Sequence, residues 1–164
     1  MTNVSSKSRA ARAAWALGAV FALFAGAALA SEFHGATANM HHEYGAIFHL
    51  DSGGKKIINK TLNNIQNLLE DPRVKGHIKV ELLANSKGVN VYMKNNGLEK
   101  KLEHLQSEGV ILAQCHNTLR ELHIKRDALY PFVSIVPSGV GEITLRESQG
   151  WAYIHPSVVP KTDF

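Results

Sequence analysis

With 164 residues, 45% hydrophobic and 20% charged side chains, the chain is long enough for one domain with a sizeable core. The formal net charge of +4 is misleading: three of the 18 basic residues lie in the first thirty positions with no acidic residue beside them, leaving 15 basic against 14 acidic. That balance argues against a nucleic-acid-binding surface, and a single cysteine excludes a disulfide within the chain.

Residues 1–30 read as a signal peptide. Lys7, Arg9 and Arg12 form a basic segment, Ala13 to Leu29 is apolar and alanine-rich, and Ala28-Leu29-Ala30 offers a small-x-small cleavage pattern, so cleavage is expected after Ala30. A retained anchor is the alternative, although an apolar run interrupted by Gly18 and Gly26 is short for a spanning helix. Export to the periplasm or beyond follows under either reading, with no membrane contact once the signal is removed. No adjacent arginine pair is present, so the general secretory route is the simpler one.

Residues 31–43 are polar and aperiodic, a flexible lead-in. His34, His41 and His42 fall there, but without cysteine or carboxylates at ligand spacing they indicate solvated linker rather than metal. The domain should then occupy 44–156, with 157–164 a loose tail.

Ala46 to Leu50 has the content of a first strand, closed by the turn Asp51-Ser-Gly-Gly54. Gly53-Gly54 has neither the Walker nor the G-x-G-x-x-G spacing, so a plain turn is the better reading. Ile58, Leu62, Ile65 and Leu69 recur at helical spacing until Pro72 ends the helix. Ile78 to Leu83 gives a second strand, with Asn85-Ser-Lys-Gly88 as its exit, and Val89 to Met93 predicts a short helix. Leu98, Leu102 and Leu105 mark the buried side of the next, which Gly109 caps.

Val110-Ile-Leu-Ala113 is a short apolar run expected of a strand buried on both faces. Asn117 and Thr118 can cap a helix with Leu119 and Leu122 as its apolar positions, which puts Cys115 at the turn from strand to helix. Backbone N–H groups and a helix dipole at such a turn favour a thiolate, the nucleophilic form. A buried, inert thiol is the competing state. Phe132 to Val136 makes a fourth strand; Pro137-Ser138 opens a helix carrying Val140, Ile143 and Leu145. Trp151 to His155 is a fifth strand, stopped by Pro156.

Strands alternating with helices predict an α/β domain, three-layer α/β/α, with a mainly parallel five-stranded sheet. Ligands in such sheets bind at the carboxyl ends of the strands. Here those ends carry Asp51, Ser52, Asn85, Ser86, Cys115, His116, Asn117, Ser138 and His155. Cys115 is the candidate reactive group, presented at the rim of the sheet, with His116, Asn117, Asn85 and Ser138 as polar support.

In this order the strand Phe48-His-Leu50, the helix Leu62-Asn-Asn-Ile65-Gln-Asn-Leu68-Leu69, the exit Leu83-Ala-Asn85, the turn Cys115-His-Asn-Thr-Leu119, and the segments Val136-Pro-Ser-Gly-Val140-Gly-Glu142 and Gly150-Trp-Ala-Tyr-Ile-His-Pro156 resemble the small single-domain branch of the DsrE/DsrF-like family over about residues 45–156. The resemblance implies a DsrEFH-like fold, assembly into homo-oligomers (trimers or hexamers), and a cysteine that carries sulfur as a persulfide between partner proteins. That role transfers to Cys115 alone. The family's sulfur-relay members are cytoplasmic, whereas this chain has an export signal.

Two functions compete. One is a persulfide carrier or thiol relay, at most sulfurtransferase-like, using Cys115 with a sulfur-donor or acceptor protein and no cofactor. The other is an oligomeric small-ligand-binding or scaffolding module without a catalytic role. A hydrolase is disfavoured because no G-x-S-x-G elbow occurs, and the carboxylates are expected mainly on wet helix faces, with no acid/base couple singled out.

Overall fold

Five strands form one sheet in which every pairing is parallel, in the order β4-β3-β2-β1-β5. The computed structural model describes residues 35–158, and the expected export segment lies outside them. Among the described residues no helix is long and apolar enough to cross a membrane. The strands are β1 Tyr44–Leu50, β2 Ile78–Ala84, β3 Ile111–Cys115, β4 Ser134–Val136 and β5 Ala152–Ile154. The helices are α1 Lys55–Glu70, α2 Glu99–Ser107, α3 His116–Glu121 and α4 Gly139–Ser148.

From β1 to β4 the chain moves across the sheet in one direction, and right-handed crossovers put α1, α2 and α3 on one face. The step from β4 back to β5 crosses in the opposite direction, which places α4 on the other face. Side-chain alternation along the strands matches this division. Phe48, Leu50, Val80, Leu82 and Leu112 pack with Ile58, Leu62, Ile65, Leu102, Leu105 and Leu119 of the first three helices. Ile47, Leu83 and Ala113 face the other way, against Ile143 of α4, Val136 and Trp151. On the thick face Tyr92 is also fully buried, and its hydroxyl donates to the Leu82 carbonyl at 2.6 Å.

Several expected details differ. The segment after β2 is a 3-10 helix at Ser86–Val91, not a helix at Val89 to Met93, because it begins directly at the strand exit, with Gly88 N–H bonded back to Asn85. β1 starts at Tyr44, β4 is only three residues, and Phe132 stacks on Tyr130 instead of joining it. α3 begins at His116, so Cys115 occupies the capping position expected of Asn117 or Thr118. The Thr118 hydroxyl instead accepts the Ser86 N–H at 2.8 Å. Leu122 lies just past the end of α3 and is half exposed. Val140 and Leu145 of α4 face solvent at 67% and 58% exposure, so only Ile143 of that expected apolar set reaches the core.

Candidate functional site at the end of β3

β3 hands the chain to α3 on one face of the sheet, and the adjacent β4 hands it to α4 on the other. The carboxyl ends of these two strands therefore form the topological switch point, where the diverging connections open a crevice in doubly wound sheets. Cys115 is the last residue of β3, directly opposite Val136 of β4. Two residues beyond Ala113, its side chain lies on the α4 face.

The sulfur is not presented to solvent as expected from its rim position: Cys115 is 5% exposed. What covers it is the first residue of α4. The Gly139 N–H donates to Cys115 Sγ at 3.2 Å. The approach is close enough that a Cβ on Gly139 would stand 3.3 Å from Cys115 Cβ and 3.5 Å from Asn85 Cβ, so a glycine allows the helix start to sit there. The donor that reaches the sulfur thus comes from α4, not from α3, whose start Cys115 itself caps. Cys115 belongs to neither apolar cluster.

Of the four supporting residues, one stands beside the cysteine. Asn85 follows β2, the strand next to β3, and shares the space around Gly139. Ser138 caps α4 by accepting the Gly141 N–H, at 3.3 Å. His116 is exposed and Asn117 half-buried, and neither bonds the sulfur.

Asn85, near the thiol, also bonds a polar group that sequence reasoning left out. His49 Nε2 lies 2.9 Å from Asn85 Oδ1 and His49 Nδ1 lies 2.7 Å from the Tyr153 hydroxyl. With the amide oxygen as acceptor, Nε2 carries the hydrogen and Nδ1 accepts from Tyr153 in the neutral ring. Burial, followed by the charges of Asp51 and Glu147, raises the Tyr153 pKa. The His155 ring lies 5.2 Å from that of His49, and its Nε2 is 3.1 Å from Asp51 Oδ1. His49 was passed over because it sits inside an apolar strand sequence. Its alternation with Ile47 was the available signal.

Lower on the same face lies a carboxylate where none was expected. Glu81 of β2 is fully buried. Arg146 of α4 donates from Nε to Glu81 Oε2 at 2.7 Å, is 3.0 Å from Glu142, and stacks over Trp151 at 4.3 Å. Among the described residues, Glu81 Oε1 has no hydrogen-bond partner. Burial pushes the Glu81 pKa up to about 7; Arg146 opposes this and the Glu142 charge adds to it. Among the described residues no group of three or more His, Cys, Asp or Glu side chains is arranged to hold a metal ion.

Comparison with known structures places this architecture. MTH1491 from Methanobacterium thermoautotrophicum, described as a protein of unknown function, matches with a TM-score of 0.65 and 34% sequence identity, over 69% of this chain and 99% of its own. This chain belongs to the same family as MTH1491. No protein-family model matches, and no curated protein does.

Proposed function

We propose that this is an exported, DsrE-like sulfur carrier in which Cys115 holds sulfane sulfur as a persulfide and passes it between partner proteins. The observation that carries the reading is the Gly139 N–H on Cys115 Sγ at a topological switch point. In the loading step the Cys115 thiolate attacks the outer sulfur of a donor persulfide. The donor's S–S bond breaks as the new one forms, and the donor leaves as a thiolate that takes up a proton, with no net oxidation. The charge left on the outer sulfur of Cys115 lies beside the start of α4. Transfer to an acceptor thiolate reverses the same step.

Burial of the sulfur means that a donor reaches it only when the first turn of α4 moves aside. Working as a homo-oligomer, a trimer or hexamer by family resemblance, agrees with the exposed Val140 and Leu145 on that helix. The same burial is the specific observation favouring the second reading, a small-ligand-binding or scaffolding module whose thiol is only structural.

Exposure of the full chain to polysulfide, followed by alkylation and mass spectrometry, separates the two. The carrier reading expects one added sulfur atom on Cys115, lost in Cys115→Ser. No adduct, together with alkylation no faster than that of a free peptide thiol, would leave the binding module.

A further inference from the structure

We propose a second binding site, on the opposite face of the sheet from Cys115, that takes a small organic anion with a short apolar body. It is a cleft of about 500 Å³ between the first turn of α1 and the segment leading from the 3-10 helix into α2. That volume is within the range of small-molecule sites, roughly 300–1,000 Å³. The proposal is independent of the sulfur-carrier reading, since the cleft is built on the α1 side, where Ile58 belongs to the larger core and Met93 and Leu98 pack against it.

The lining sets the ligand chemistry. Its one ionisable side chain is Lys55, and it contains no acid. Four asparagines also line it, and they divide into two kinds. Asn90 and Asn96 are committed to the walls. Asn90 donates to the Gly53 carbonyl at 3.3 Å; Asn96 donates to the Asn90 and Val91 carbonyls, both at 2.8 Å, and accepts the Leu98 N–H and the Tyr130 hydroxyl. The side chains of Asn59 and Asn95 make no hydrogen bond within the described residues, so their amides remain available to a ligand. A cation and two free carboxamides above the apolar edge of Ile58, Met93 and Leu98 suit a carboxylate at one end of a molecule and hydrocarbon at the other.

The test is an amide-resolved NMR titration of the full chain with benzoate, with neutral benzamide as the matched control and inorganic phosphate as an anion lacking the apolar part. Benzoate should saturate, moving the backbone signals of Gly53 and Lys55 and the side-chain amides of Asn59 and Asn95. Benzamide and phosphate should each bind at least tenfold more weakly. Lys55→Gln, a change at an exposed position, should weaken benzoate about tenfold, the order expected for one charge-assisted hydrogen bond. Shifts that do not saturate, that centre elsewhere, or that persist unchanged in Lys55→Gln would overturn the proposal, as would equal binding of benzamide.

Discussion

The two faces of the sheet are built on different physics. On one, three helices bury Leu62, Ile65, Leu102, Leu105 and Leu119 against Phe48 and Leu82, and each such side chain contributes about 1.5–3 kcal/mol by leaving water. On the other, a single helix covers the small apolar set Ile47, Leu83 and Ala113 and is tied down by Arg146 bridging Glu81 and Glu142. A buried ion pair offsets much of its Coulombic gain with desolvation, so it fixes geometry more than it adds stability. The thick face supplies most of the apolar burial, and the thin face holds its helix through a few directional contacts. Cys115, covered by the start of that helix, sits on the side with less apolar burial over it.

The sharpest way to break this contrast is a matched pair of truncations. Leu62→Ala on the thick face should cost about 3–5 kcal/mol, in the range for leucines whose cavity cannot collapse, since Leu62 is fully buried. Ile143→Ala on α4, only half-buried, should cost about 1–2 kcal/mol. Urea unfolding of the two variants measures both, and equal losses would mean that the thin face is as structural as the thick one.

Next in size is the pH dependence contributed by the clamp. Glu81 has a pKa near 7 in the folded protein against about 4.5 for the free side chain, so the folded state retains a proton that the unfolded chain has already lost. Stability from this group is therefore fully present below about pH 4.5, falls as pH rises towards 7, and levels off above it, by about 3 kcal/mol in all. Glu81→Gln should remove that slope. Urea midpoints between pH 4.5 and 8 report it, and parallel profiles would show that Arg146 keeps Glu81 ionised throughout.

The same contrast explains what the amino-acid pattern revealed. The thick face was legible because Ile58, Leu62 and Ile65 repeat at 3.6-residue spacing and the strands are apolar runs, both direct consequences of burial against helices. Fold class and strand order in the chain followed from that. The thin face obeys no such periodicity. Val140 and Leu145 have the composition of core positions and stand in water, while Glu81 has the composition of a surface residue and is fully buried. The burial of Glu81 is set by a partner distant in sequence, Arg146, 65 residues away. For the candidate site, the position of Cys115 at a strand end could be read locally. The hydrogen bond from Gly139 and the His49–Asn85 pair could not, because they depend on which strands become neighbours.

The smallest effect on stability tests what lies beyond the thin face. Replacing Val140 and Leu145 together with serine alters two exposed side chains, so the urea midpoint should shift by no more than about 0.5 kcal/mol. If copies of the chain associate through α4, the double variant should nevertheless lower the mass seen in sedimentation, since two apolar groups at the centre of a subunit contact become polar. The same association would hold the first turn of α4 in place, so losing it should speed alkylation of Cys115. An unchanged mass with unchanged thiol reactivity would move any subunit contact away from α4 and leave access to the sulfur governed within one chain.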